Sequence, residues 1–156
     1  MKYLVDVYKI QMCQNQKGDQ LLKISKKYID EMIGHAFDEN PYECCGILTG
    51  ESNVITGLHR ITNTTRSPYR YVMDAQEFLD ADKDAEDKGW EFLAFYHSHT
   101  RSPAYPSRTD VRMALESGWL DVYYILVSLE EQTNPQVRAF HIVESGDIIE
   151  EEFQME

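Results

Sequence analysis

His97-Ser98-His99-Thr100-Arg101-Ser102-Pro103-Ala104-Tyr105-Pro106-Ser107-Arg108-Thr109-Asp110 closes a strand, crosses an irregular stretch and opens a helix. The residues before it, Glu91–His99, are strand-like, and side chains on a strand alternate faces, so His97 and His99 point the same way. Two imidazoles on one face suit zinc, which takes nitrogen ligands at about 2.0–2.1 Å. Thr100–Pro106 cannot be regular, because Pro103 and Pro106 interrupt it. A helix from Ser107 to Ser117, ended by Gly118, returns Asp110 as a candidate oxygen ligand. Two histidines and one aspartate leave a fourth position for water, the pattern of a catalytic zinc site. A His-x-His pair alone is a weak signal. Ser107 and Asp110 also read as the Ser-x-x-Asp form of a helix capping box. The two readings are compatible, since a cap can orient a metal ligand in the first turn.

Working outward, Ile24, Tyr28, Ile29, Met32, Ile33, Ala36 and Phe37 recur at helical spacing. Ser25 is the candidate N-cap, and Asn40-Pro41 stops this helix. Cys44–Thr49 reads as a buried strand, Gly50–Ser52 as a turn and Asn53–Ile61 as the antiparallel partner. Thr62–Arg70 is a polar loop. Asp74 caps a second helix, with Glu77 in the reciprocal position, Gly89 past the end, and Phe78, Leu79 and Ala85 toward the core. Val122–Leu129, Gln136–Val143 and Ile148–Phe153 are further strands, the last two around a Ser145-Gly146-Asp147 turn. Strands joined both by hairpins and by helices predict an α/β (α+β) fold, a mixed sheet with helices packed on it. In residues 1–23, Val5, Tyr8 and Ile10 hint at a short strand, and Gln14–Asp19 at a turn.

A chain of 156 residues suits one domain with a core of its own. The balance of 27 acidic against 15 basic residues gives a formal charge of −12. A phosphate-backbone binder needs a basic stripe, and none is present, so nucleic acid and anionic membranes are excluded as partners. No apolar run approaches the roughly 20 residues of a membrane span. The opening stretch is too short and too interrupted by Asp6 for a signal peptide. Cys13, Cys44 and Cys45 imply no disulfide framework. The expected location is the cytoplasm. The acidic run Glu77–Glu91 reads as the wet face of a helix and Glu150-Glu151-Glu152 as a solvated edge.

The string His-x-His, seven residues, Ser, two residues, Asp resembles the signature of the JAMM (MPN+) zinc metallopeptidases. Upstream, Pro41-Tyr42-Glu43-Cys44-Cys45-Gly46-Ile47-Leu48-Thr49-Gly50 is similar to the family's Pro-x-Glu-x-Cys-Gly-x-Leu-x-Gly. The resemblance covers roughly residues 24 to 150. It implies the MPN/JAB1 fold, a curved mixed sheet flanked by helices in a cytidine-deaminase-like arrangement. It divides the chain into an extension, 1–23, and a metallopeptidase domain, 24–156.

The resemblance implies that His97, His99 and Asp110 hold one zinc ion, that Glu43 is the general base and that the Ser107 hydroxyl stabilises the oxyanion. Without it, Glu43 would read as a solvated residue between helix and strand. Four alternatives are weaker. MPN scaffolds that have lost the ligands differ from this chain, which keeps every matching position. A cysteine nucleophile is disfavoured because Cys44 and Cys45 sit in an apolar strand, where thiols are small core residues. Zinc nucleobase deaminases use His-x-Glu and Pro-Cys-x-x-Cys motifs that are absent here. A subunit whose zinc only supports assembly would have no use for Glu43.

Within the family, Tyr96–Val111 resembles the bacterial branch that removes cysteine from a ubiquitin-like sulfur-carrier protein. Ala104–Val111 carries most of that likeness, and Arg66-Ser67-Pro68-Tyr69-Arg70-Tyr71 adds to it. The implied substrate is an amide after the carrier's C-terminal Gly-Gly, with cysteine released. The alternative is a deconjugating isopeptidase acting on lysine-linked modifiers. Arg66, Arg70 and Arg101 are candidate contacts for a substrate carboxylate, which arginine binds bidentately. Tyr69, Tyr71 and Tyr105 are candidate walls for the Gly-Gly tail. Solvated loop charge and ordinary packing are the plain readings of these six. A homodimer is left open.

Overall fold

The computed structural model describes residues 20–156. The strand and turn expected within residues 1–19 lie outside them. The order is β1 (Leu22–Ile24), α1 (Lys26–Glu39), β2 (Cys45–Glu51), β3 (Val54–Ile61), α2 (Ala75–Lys88), β4 (Glu91–His99), α3 (Arg108–Ser117), β5 (Tyr123–Ser128), β6 (Gln136–Ile142), β7 (Ile148–Glu151) and β8 (Phe153–Met155). All eight strands form one mixed sheet in the order β7-β6-β5-β4-β2-β3-β1-β8. Only Glu152 separates β7 from β8, which lie at opposite edges. The sheet therefore curls until it is nearly closed. The expected single strand over 148–153 is split at this point.

Alternation along β2 and β4 divides the core into two layers. Cys44, Leu48, Ala94 and Tyr96 pack with Ile29, Met32 and Ala36 of α1. Cys45, Ile47 and Phe95 pack with Ala81 of α2 and Ala114 of α3. The sheet is thus covered on both faces, and β2 and β5 are nearly continuous apolar runs as such strands must be. Each fully buried Leu or Ile here contributes about 1.5–3 kcal/mol. His97 and His99 share the parity of Phe95 and so belong to the face that α2 and α3 cover.

Several local expectations are revised. Ile24 ends β1 rather than opening the helix, and it pairs with Met155 of β8. Ser25 takes the N-cap position in extended conformation, but its side chain makes no cap bond. Phe37 is 40% exposed and Leu79 is 59% exposed; Ala81, 2% exposed, takes the core position expected of Leu79. Asp74 caps Glu77 N as expected, but the Glu77 carboxylate turns to Thr62, accepting from its amide at 2.7 Å and its hydroxyl at 3.0 Å. The β2–β3 turn is Ser52-Asn53, both at positive φ (53° and 59°), as a type I′ hairpin requires. Gly50 lies in β2, where a Cβ would run into the Val54 carbonyl oxygen.

Candidate metal centre

The centre lies at the carboxyl end of β4, which runs antiparallel to β2 and parallel to β5. His97 is paired with Cys45 on one side and Leu126 on the other. That double pairing fixes both histidines on rigid backbone. The next seven residues are irregular, held by a 2.6 Å bond from Ser128 Oγ to the Ser102 carbonyl. Helix α3 then starts with a full capping box. Ser107 Oγ accepts from Asp110 N at 3.1 Å, and Asp110 Oδ2 accepts from Ser107 N at 2.8 Å. The same Oδ2 lies 3.2 Å from His97 Nε2 and 3.1 Å from His99 Nε2. The cap therefore aims the carboxylate at both imidazoles.

The His97 and His99 Nε2 atoms are 3.2 Å apart, so three donor atoms form a nearly equilateral triangle. Ligands on a tetrahedral ion with bonds of about 2.0 Å lie about 3.3 Å apart. His99 Nδ1 is 2.9 Å from the Pro103 carbonyl, which only accepts. Nδ1 therefore carries the proton and Nε2 turns a lone pair inward, as outer-shell hydrogen bonds to ligating histidines do. All three residues are buried. Three electron-rich atoms converging in a dry site repel one another unless a proton or cation lies among them. Their mixed nitrogen and oxygen chemistry suits a zinc ion.

Burial pushes the Asp110 carboxyl up, but the His97 charge and the bonds from both histidines and the Ser107 amide win, holding it far below the carboxylate range. Burial pushes His99 down, and its bonds to Asp110 and Pro103 O outweigh this, so the net direction is up. Both directions say that the pocket wants positive charge.

Glu43 lies between α1 and β2 and is 3% exposed. Burial raises its carboxyl from 4.5 to about 7, against the pull of His97 and His99 and with the push of Asp110. Its Oε2 is buried without a hydrogen-bond partner, an arrangement that costs about 1–3 kcal/mol unless something else uses the atom. Glu43 N donates to Ser67 O at 2.9 Å, and Glu43 O accepts from Asn63 Nδ2 at 3.0 Å. The next residue donates from Cys44 N to Ser98 Oγ at 2.8 Å, so the serine between the two histidines ties the Glu43 segment to β4.

The structure thus brings Glu43 beside His97, His99 and Asp110, and puts half-buried Ser107 at their edge. Tyr71 is buried, its ring 4.7 Å from that of His97. It backs a ligand and also lines an apolar cavity of about 210 Å³ with Met73, Phe95, Met113 and Trp119. Arg66, Tyr69, Arg70, Arg101 and Tyr105 are exposed on the loops around the centre. Arg66 lies over the ring of Tyr42, beside Glu43, at 5.2 Å. Tyr105 leans away onto Phe140, at 5.5 Å. Cys44 and Cys45 are buried and free. Burial drives the Cys44 thiol up to about 12 and pushes Cys45 up as well, which weighs against a cysteine nucleophile. Sequence reading passed over Asn63, Ser98 and the Pro103 carbonyl. Asn63 followed two residues later by Thr65 is an Asx-turn pattern and was a usable signal; the other two contacts have no local signature.

Residues 25–143 match the family described as prokaryotic homologs of the JAB domain. A CysO-cysteine peptidase from Mycobacterium tuberculosis is 37% identical over 133 residues, 84% of this chain and 88% of that protein. A probable TtuB-protein conjugate cleaving protease from Thermus thermophilus is 30% identical over 129 residues, 82% and 80% of the two chains. A protein from Desulfitobacterium hafniense solved in solution superposes with a TM-score of 0.75 at 34% identity, covering 86% of this chain and 92% of the other. A JAB1/MPN domain protein from Archaeoglobus fulgidus shares the fold, with a TM-score of 0.57 at 17% identity over 89% and 100% of the two chains.

Proposed function

This chain belongs to the family of prokaryotic JAB-domain homologues, enzymes of the hydrolase class, and from that premise we propose that it is a zinc-dependent peptidase. Its substrate is the amide after the C-terminal Gly-Gly of a ubiquitin-like sulfur-carrier protein, and it releases cysteine. One observation carries the reading: His97, His99 and Asp110 converge on one point, within 3.2 Å of one another, beside a buried carboxyl with an unpartnered oxygen.

His97 Nε2, His99 Nε2 and Asp110 Oδ2 would hold the ion. Bound zinc supplies Lewis acidity and lowers the pKa of water from 15.7 to about 7. Glu43, raised to about 7 by burial, is matched to accept a proton from water at neutral pH and return it to the departing amine. Ser107 Oγ already accepts from Asp110 N, which leaves its own proton to donate to the substrate carbonyl oxygen as charge builds there. Burial of Glu43, His97 and Asp110 excludes bulk water and strengthens these interactions. Arg66, Arg70 and Arg101 would meet the carboxylate of a cysteine leaving group, and Tyr69 would flank the tail, whereas Tyr105 is held against Phe140. Tyr71, buried behind His97, supports the ligand.

Similarity to the CysO-cysteine peptidase of Mycobacterium tuberculosis supports the cysteine amide. Similarity to the probable TtuB-protein conjugate cleaving protease of Thermus thermophilus supports a protein conjugate as the second reading, and we take its linkage to be through lysine. Two free buried cysteines suit a reducing, cytoplasmic compartment, and among the described residues no helix is long and apolar enough to cross a membrane. Mass spectrometry of zinc-loaded protein with a carrier–cysteine adduct and a lysine-linked conjugate separates the readings. The proposal expects faster release of cysteine; good cleavage of the lysine conjugate alone rejects it.

A further inference from the structure

The polar loop after β3 folds around one side chain. Asn63 is 6% exposed and uses both ends of its amide. Its Oδ1 accepts from Thr65 N at 3.2 Å, Thr65 Oγ1 at 2.7 Å and Val72 N at 3.1 Å. Its Nδ2 donates to Arg70 O at 3.1 Å and to Glu43 O at 3.0 Å. An asparagine that merely builds a turn needs only the acceptor half. The donor half here reaches a segment twenty residues earlier and ends on the residue that carries the unpartnered carboxyl.

Glu43 precedes β2, so no strand ladder holds it. Both of its backbone polar groups are satisfied by the 63–67 segment, the amide by Ser67 O and the carbonyl by Asn63. The same turn, closed by Arg66 N donating to Asn63 O at 3.3 Å, holds Arg66 at φ 44° with its guanidinium over Tyr42. A non-glycine residue at positive φ persists only where its surroundings enforce it.

We propose that Asn63 is a positioning residue, locking Glu43 and the loop bearing Arg66, Tyr69 and Arg70 into one hydrogen-bonded unit. The placement of the base and of the loop arginines is then set together. This rests on the reading of Glu43 as the general base. Asn63→Asp keeps the acceptor half and loses the donations to Glu43 O and Arg70 O; Asn63→Ala loses both.

The experiment measures kcat, KM and zinc content at the pH plateau with the cleaved conjugate, together with amide hydrogen exchange of the same zinc-loaded proteins. Misplacing a catalytic group by about 1 Å costs about 100-fold. Asn63→Asp is therefore expected to lower kcat about 100-fold with KM within about twofold, zinc unchanged and Glu43 N–H exchange about tenfold faster. An unchanged kcat in Asn63→Asp, or a rise confined to KM, overturns the proposal. If Asn63→Ala fails to fold, Asn63→Asp decides alone. If Asn63→Asp also fails to fold, Thr65→Val, which removes the hydroxyl's bond to Asn63 Oδ1 at 2.7 Å and its longer contact with Arg70 O at 3.5 Å, decides by the same split between kcat and KM. If the wild-type protein cleaves neither conjugate, the proposed function fails instead, and exchange at Glu43 decides this proposal: faster in Asn63→Asp supports it, unchanged refutes it.

Discussion

Lowering the pH from 7 to 4 takes stability away through one buried histidine. His35 is 4% exposed, with Nδ1 2.8 Å from the Tyr96 hydroxyl. Burial lowers it from 6.5 to about 4, with Arg60 adding to the effect and Asp38 and Glu31 opposing it. Below pH 6.5 the unfolded chain takes up a proton that the folded chain refuses until about pH 4. The stability is complete above pH 6.5 and lost as pH falls toward 4. At about 1.4 kcal/mol for each tenfold in proton affinity, the loss is about 3 kcal/mol. The assay is urea unfolding followed by tryptophan fluorescence at steps between pH 7 and 4, on the wild-type protein and His35→Asn. Carboxylates titrate alike in both, so the difference isolates His35. The variant is expected to start about 1–2 kcal/mol weaker at pH 7, from the lost ring contacts, and the gap is expected to close and reverse toward pH 4. Parallel loss in the two proteins would refute the assignment.

Glu43→Gln is expected to retain zinc and to lose turnover by about 10²–10⁴-fold, the span of general acid–base catalysis. Metal analysis beside a cleavage assay checks it, and normal hydrolysis by that variant removes Glu43 from the mechanism. Gly46→Ala is expected to destabilise by about 1–3 kcal/mol, since a Cβ there would collide with the Tyr96 ring; thermal unfolding checks this, and an unchanged midpoint contradicts the packing described. Chelation of the wild-type protein is expected to abolish cleavage, with zinc restoring it. Activity that survives chelation would return attention to another nucleophile.

The centre was legible because its chemistry sits in two short strings with strong local grammar. Strand alternation put His97 and His99 on one face, and the Ser-x-x-Asp cap proved to be the device that aims Asp110. The helix starts at Asp74 and Ser107 were legible for the same reason, since caps are local. Long-range pairing was not. Ile24 fits a helical stripe as well as a strand, and only pairing with Met155, far along the chain, decides for β1. Glu77 has the spacing of a capping box, but the Thr62 amide and hydroxyl compete for its carboxylate. Leu79 loses the core position to Ala81 because α2 lies close to the sheet, where a small residue fits. Asn63 carries an Asx-turn pattern in sequence, yet its bond to Glu43 O depends on where α1 ends.

In the proposed centre, three side chains from two segments would hold one zinc ion beside Glu43. Anomalous diffraction at the zinc edge from crystals of the Glu43→Gln protein tests it most directly. A single strong peak per chain is expected, about 2.0–2.1 Å from His97 Nε2, His99 Nε2 and Asp110 Oδ2. A zinc-soaked crystal with no peak there, or with its peak on other residues, would contradict it.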